Sequence, residues 1–154
     1  MLLGPNYLKG SDDVPAGMTN VKQPGGSSTA AVGDGQTDDT SAIQAIVDHV
    51  AGSNNNKVFF PRGEYLVSGD ITIRGSVELH GAKSGTGVIK ASTPYAKIIR
   101  NTKPVKLVSL KHLYLDGVRV VFDGRSQGSL ATSNITIESC VFFSSASADR
   151  KSVV

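Results

Sequence analysis

Two segments of this 154-residue chain superpose on each other, and that repeat limits the fold more than any other feature. Val108-Ser109-Leu110-Lys111-His112-Leu113-Tyr114-Leu115 lies over Ile135-Thr136-Ile137-Glu138-Ser139-Cys140-Val141-Phe142. Apolar positions match apolar positions, and Ser109 falls on Thr136. The offset is about 27 residues, inside the range of solenoid repeats. Val77-Glu78-Leu79-His80 fits one repeat earlier, offset by about 31. Unequal repeats suit a β-helix, where loops absorb insertions and the strand columns keep register. A β-sandwich would show hairpin turns of the Asn-Gly kind. Asp116-Gly117 and Asp123-Gly124 only come near that pattern.

The remaining chain agrees with short stacked strands. Val58-Phe59-Phe60, Tyr65-Leu66-Val67, Ile71-Thr72-Ile73, Val88-Ile89, Ile98-Ile99 and Val118 to Phe122 are brief apolar or alternating runs between polar corners. One helical stripe precedes them. Ile43, Ile46, Val47 and Val50 recur at i, i+3, i+4 and i+7, with Gly52 placed to close the helix. Before it, Gly33-Asp34-Gly35 reads as a tight turn. Thr37 is expected to cap the helix, with Asp38 and Asp39 in its first turn facing the positive end of the dipole.

Bulk properties narrow the function classes. Apolar residues make up 39%, charged residues 19%, and Trp is absent, which suits a loop-rich β protein. A net charge of +3 without a block of like charges gives no argument for nucleic acid. No apolar run reaches transmembrane length, and no signal peptide is visible at the first residues. A single cysteine, Cys140, excludes a disulfide within the chain and any zinc spacing. It aligns with Leu113 and is expected to be a buried, inert thiol.

Three motifs carry a family resemblance. Gly33-Asp34-Gly35-Gln36-Thr37-Asp38-Asp39-Thr40 with Ala42-Ile43-Gln44 is similar to an opening motif, and Val58-Phe59-Phe60-Pro61-Arg62-Gly63-Glu64-Tyr65 to a strand-turn. Asn134 to Phe142 is similar to an internal coil repeat. Together they resemble the pectate-lyase-like superfamily, in the group of rhamnogalacturonases, epimerases and phage tailspikes. The resemblance implies a mainly β fold: a right-handed, single-stranded parallel β-helix of few coils with an N-terminal capping α-helix. It implies a lyase, glycoside hydrolase or epimerase acting on acidic polysaccharide, with calcium allowed in a lyase. Fold alone does not choose among these.

Candidate site residues are few. Under the repeat register, His80, Lys111 and Glu138 form one outward column, with neighbouring coils about 4.8 Å apart. A base and an acid on such a column could act on a polymer lying along the helix. The bland reading is a solvated ladder with an ordinary Lys111–Glu138 ion pair. Gly33, Asp34, Gly35, Thr37, Asp38, Asp39, Pro61 and Gly63 are read as structural motif residues, the acids serving turn and cap rather than metal or catalysis. Lys83, Lys90, Lys97, Arg100, Lys103, Lys106 and Lys111 make the middle of the chain basic, which fits either polyuronate or a solvated surface. Tyr65 and Tyr114 could stack on sugars or pack inside strands. No cofactor-binding motif and no metal-ligand cluster are found.

The expected organisation has three parts: 1–31, an extended arm or linker; 32–148, the capping helix and first coils; and 149–154, a non-native tail from translated sequencing adapter. On that reading the chain is an N-terminal fragment, inactive by itself. The alternatives are a phage tailspike depolymerase, in which case a homotrimer is expected, and a non-catalytic β-helix adhesin or scaffold. The expected partner is polysaccharide, with neither nucleic acid nor membrane, and the expected location is extracellular or virion-associated.

Overall fold

The computed structural model describes residues 14–26, 28–82, 86–92, 97–101, 107–121 and 134–144. Their strands are β1 (Thr19–Asn20), β2 (Asp34–Asp38), β3 (Lys57–Phe60), β4 (Gly63–Val67), β5 (Ile71–Ile73), β6 (Val77–Gly81) and β7 (Gly87–Ala91). They continue with β8 (Lys97–Asn101), β9 (Leu107–Lys111), β10 (Tyr114–Asp116), β11 (Arg119–Val121), β12 (Asn134–Glu138) and β13 (Val141–Phe143). One helix, α1 (Thr40–Val50), lies between β2 and β3.

The strands form three sheets: β1-β3-β6-β9-β12, then β2-β4-β7-β10-β13, then β5-β8-β11. Every strand-to-strand pairing within them is parallel. Successive strands visit successive sheets and return to the first, so the chain is a parallel β-solenoid of about three turns. The expected repeat register holds residue for residue. Leu110 pairs with Ile137 and Leu79 with Leu110.

Each turn sends alternate residues inward. Val58, Leu79 and Leu110 from the first sheet meet Tyr65, Ile89 and Leu115 from the second and Ile71 and Ile73 from the third, all 1% exposed or less. Burying a side chain of this size stabilises by about 1.5–3 kcal/mol. The helix adds Ala42, Ile43, Ile46, Val47 and Val50 to the same core, so the stripe read from the sequence is its buried face. Gln44 beside that stripe serves the edge strand β5. Its Nε2 donates to the Thr72 carbonyl (2.8 Å) and its Oε1 accepts the Thr72 N–H (2.7 Å). Gly52 ends the helix at φ +76°, and its N–H donates to the Ser76 carbonyl.

Two expectations are corrected. Thr37 does not cap the helix: Asp34–Asp38 is a strand against β4, and the helix starts at Thr40. Pairing of Asp34 with Glu64 and Asp38 with Leu66 holds this segment extended, and the Asp39 N–H donates to the Leu66 carbonyl. Non-local ladder bonds thus override the local cap signal. The same acids also do not line a first helical turn, which holds no acidic residue.

Residues 19–23 and Ala31 join the packed body. β1 pairs with β3, the Val21 N–H donates to the Phe59 carbonyl, and Val21 and Ala31 are 0% and 3% exposed. The corner after the first sheet repeats as well. His112 (φ 55°) and Ser139 (φ 53°) occupy the same repeat position in left-handed backbone. One turn earlier the level position is Gly81, where an added Cβ would collide with the His112 carbonyl oxygen.

Candidate functional site

The opening acids are each consumed by local structure. Asp34 accepts the N–H groups of Gln36 (2.9 Å) and Thr37 (2.7 Å) and the Thr37 hydroxyl, and these bonds lower its pKa. Asp38 accepts from the Ser68 hydroxyl and from the hydroxyl and N–H of Thr40, which brings its pKa down to about 2. Asp39 is 1% exposed and reaches back, its two oxygens accepting the Val32 N–H (2.7 Å) and Gly33 N–H (2.9 Å). Asp34 and Asp38, whose carboxylates are held charged by these bonds, are poor proton carriers near neutrality. The motif is therefore a clasp that joins β2, β4 and the helix start. Its glycines are steric: at Gly33 an added Cβ would lie 2.8 Å from the Tyr65 ring, and at Gly63 2.8 Å from the Gly33 carbonyl. Pro61 supplies the carbonyl that accepts the Tyr65 hydroxyl (2.8 Å).

The outer face of the first sheet carries the predicted column. His80 pairs in register with Lys111, and Lys111 with Glu138. Lys111 Nζ lies 3.6 Å from Glu138 Oε2, with the side chains 29% and 55% exposed. His80 is less open, at 13%. Its Nε2 lies 3.5 Å from Glu78 Oε1, within ion-pair reach, but this buried nitrogen makes no hydrogen bond to a described residue. Burial lowers the His80 pKa, against the opposing pull of Glu78. Glu78 in turn lies 4.0 Å from Lys57. The alternation that exposes His80 also exposes Glu78 and Lys57, so this part of the cluster was readable from period two. What period could not show is that His80 is nearly covered, with Phe59 level with it on β3 at 3% exposure.

The basic middle of the chain divides among sheets. Lys97 stands level with Arg119, and Arg100 level with Val121 and Thr72, along the third sheet. Lys90, on the second sheet, is held by Glu64 at 3.0 Å, which raises its pKa. Lys83, Lys103, Lys106 and Asp123-Gly124 lie outside the described residues. Tyr65 is a core residue, fully buried and edge-on to Phe60 at 5.3 Å. Tyr114 sits on the outer side of β10, edge-on to Phe143 at 6.3 Å. Asp116 is buried at the end of β10, followed by Gly117 at φ 68°. Cys140 is half-buried against the core, more open than its repeat mate Leu113, because it sits in the last described turn. Among the described residues no three His, Cys, Asp or Glu side chains converge. No described helix is long and apolar enough to cross a membrane.

The pattern of the family described as rhamnogalacturonase A/epimerase, pectate lyase-like, matches residues 19–106. The chain belongs to this family. It is 34% identical over 111 residues to mannuronan C5-epimerase AlgE2 of Azotobacter vinelandii, which covers 64% of this chain and 11% of that protein. With mannuronan C5-epimerase AlgE6 of the same organism it shares 35% over 130 residues, 70% of this chain and 15% of the relative. With alginate lyase 7, also from Azotobacter vinelandii, it shares 43% over 67 residues, 39% and 8% of the two chains. The chain thus spans a small part of the length of these relatives. No solved structure matches it.

Proposed function

We propose that this chain forms the opening turns of a protein that binds an acidic polysaccharide along its solenoid and alters its uronate units at C5. The similarity to both mannuronan C5-epimerases and an alginate lyase carries this reading. Epimerisation and β-elimination at a uronate share their first step, removal of the C5 proton beside the carboxylate. A family member similar to enzymes of both kinds fits a substrate on which that step is done.

The geometry supports contact with a polyanion more than it supports chemistry within these turns. Lys97 is level with Arg119 on the third sheet, and Arg100 follows three residues after Lys97 on the same strand, β8. Lys111 adds a cation on the first sheet, though Glu138 offsets it. His80 is too enclosed to meet a sugar, and Lys111 faces a carboxylate in place of a proton donor. We therefore assign this column a contact and structural role and read the chain as non-catalytic by itself. A polymer of this kind is met outside the cell or at a virion surface, where we place the protein.

Affinity electrophoresis tests the reading. The 154-residue chain should be retarded in gels containing mannuronan, less so with added salt, and not by a neutral glucan. Equal mobility in all gels would overturn it. Incubation with mannuronan should leave the proton NMR spectrum of the polymer unchanged. Appearance of C5-inverted or unsaturated residues would return catalysis to this chain and reopen the His80 column.

A further inference from the structure

We propose that His80 is an acid-released latch on the outer face of the first sheet: neutral, it stays packed level with Phe59, and protonated, it leaves that position and loosens the surface of β3, β6 and β9. Three observations carry this. First, His80 Nε2 is buried and has no hydrogen-bond partner, so the ring sits there without a fixed proton acceptor. Second, the neighbour that could reward a proton, Glu78, is 3.5 Å away without a hydrogen bond, and is shared with Lys57 at 4.0 Å. Third, cations flank the ring from both adjacent strands, Lys57 on β3 and Lys111 on β9, while Glu138 of β12 lies beyond Lys111 and faces it. Charging the ring therefore adds a positive charge to a nearly closed place between two lysines.

The sign follows from linkage. Burial lowers the folded pKa of His80 below its ordinary value of 6.5. The unfolded chain then takes up the proton first, so stability is full above 6.5 and is lost as pH falls from there through the lower folded value. The device is local. Phe59 is 3% exposed beside His80, and departure of the imidazole opens that apolar side chain to water.

Thermal unfolding of the full chain and of His80→Leu, at about pH 7.5 and about pH 5, reads the effect on either side of the ordinary histidine range. The unaltered chain should lose several degrees of Tm more than the variant on acidification, and His49→Gln should behave like the unaltered chain. Identical pH profiles for the chain and His80→Leu would overturn the proposal. If His80→Leu does not fold, NMR titration of the imidazoles in the unaltered chain decides the matter. His80 should titrate below the ordinary histidine value of 6.5, with Phe59 resonances shifting in the same step. Titration of His80 at or above 6.5 would overturn it, as would Phe59 resonances that ignore that step.

Discussion

At the scale of single residues, this protein shows how adjacent carboxylates acquire separate tasks. Asp38 and Asp39 are neighbours in sequence, yet one serves the exposed Ser68–Thr40 corner and the other is buried beneath Val32 and Gly33. Asp39→Ala should destabilise by about 1–3 kcal/mol, because two N–H groups lose their acceptor. Urea unfolding measures it, and an unchanged midpoint would refute the assignment. Asp38 makes a pH-dependent contribution of known sign. Its pKa falls from 3.8 to about 2 on folding, so its stabilisation is present above 3.8 and is lost as pH drops towards 2. Asp38→Asn should flatten the acid limb of the stability curve in that window. Gly81→Ala should be more damaging than its small size suggests, since the new methyl meets backbone of the next corner and not a side chain that can turn aside. Failure to accumulate soluble protein, or a large loss of Tm, is the expected result.

Among the elements, α1 and β5 form the most informative pair. Gln44 gives Thr72 the donor and acceptor that a neighbouring strand would give, so a side chain stands in for a missing strand at this edge. Gln44→Leu keeps volume but removes both bonds, and should cost about 1–3 kcal/mol with β5 exchanging its amide hydrogens faster. Ile46→Ala, on the buried stripe, should cost about 2–5 kcal/mol through the cavity it leaves. A helix that merely lay on the surface would tolerate both changes, and calorimetry separates these outcomes. The buried face and the end of the helix were legible because a 3.6 period and a closing glycine leave their mark in the sequence. The helix start was not. Thr37, Asp38 and Asp39 all suit a cap, and the choice fell to pairing with β4, where Asp34 meets Glu64 and Asp38 meets Leu66.

Across the described residues, most of the exposed large apolar side chains lie on β12 and β13. Ile135, Ile137, Val141, Phe142 and Phe143, all on β12 and β13, are 40–49% exposed. Their repeat mates Leu110 and Leu115 are fully buried because another turn stacks on them. Parallel strands with open edges and apolar faces favour association. Ile137→Lys with Phe142→Lys should therefore reduce self-association in light scattering while leaving Tm nearly unchanged. Leu110→Lys, the same change one turn inward, should prevent folding. Equal effects of the two changes would show that the last described turn is as closed as the one before it.

The strand columns were determined by the sequence itself, because a solenoid writes its register as a repeat. The superposition of Val108–Leu115 on Ile135–Phe142 predicted the pairing of Leu110 with Ile137 and of Tyr114 with Val141, as the structure has them. It also put His80, Lys111 and Glu138 on one column. Tertiary structure alone decided what those positions experience. Burial of the His80 nitrogen, closure of Phe59 and the backward reach of Asp39 depend on groups brought together from different turns. Periodicity specifies which side of a strand a residue occupies; how much water reaches it is set by everything packed above.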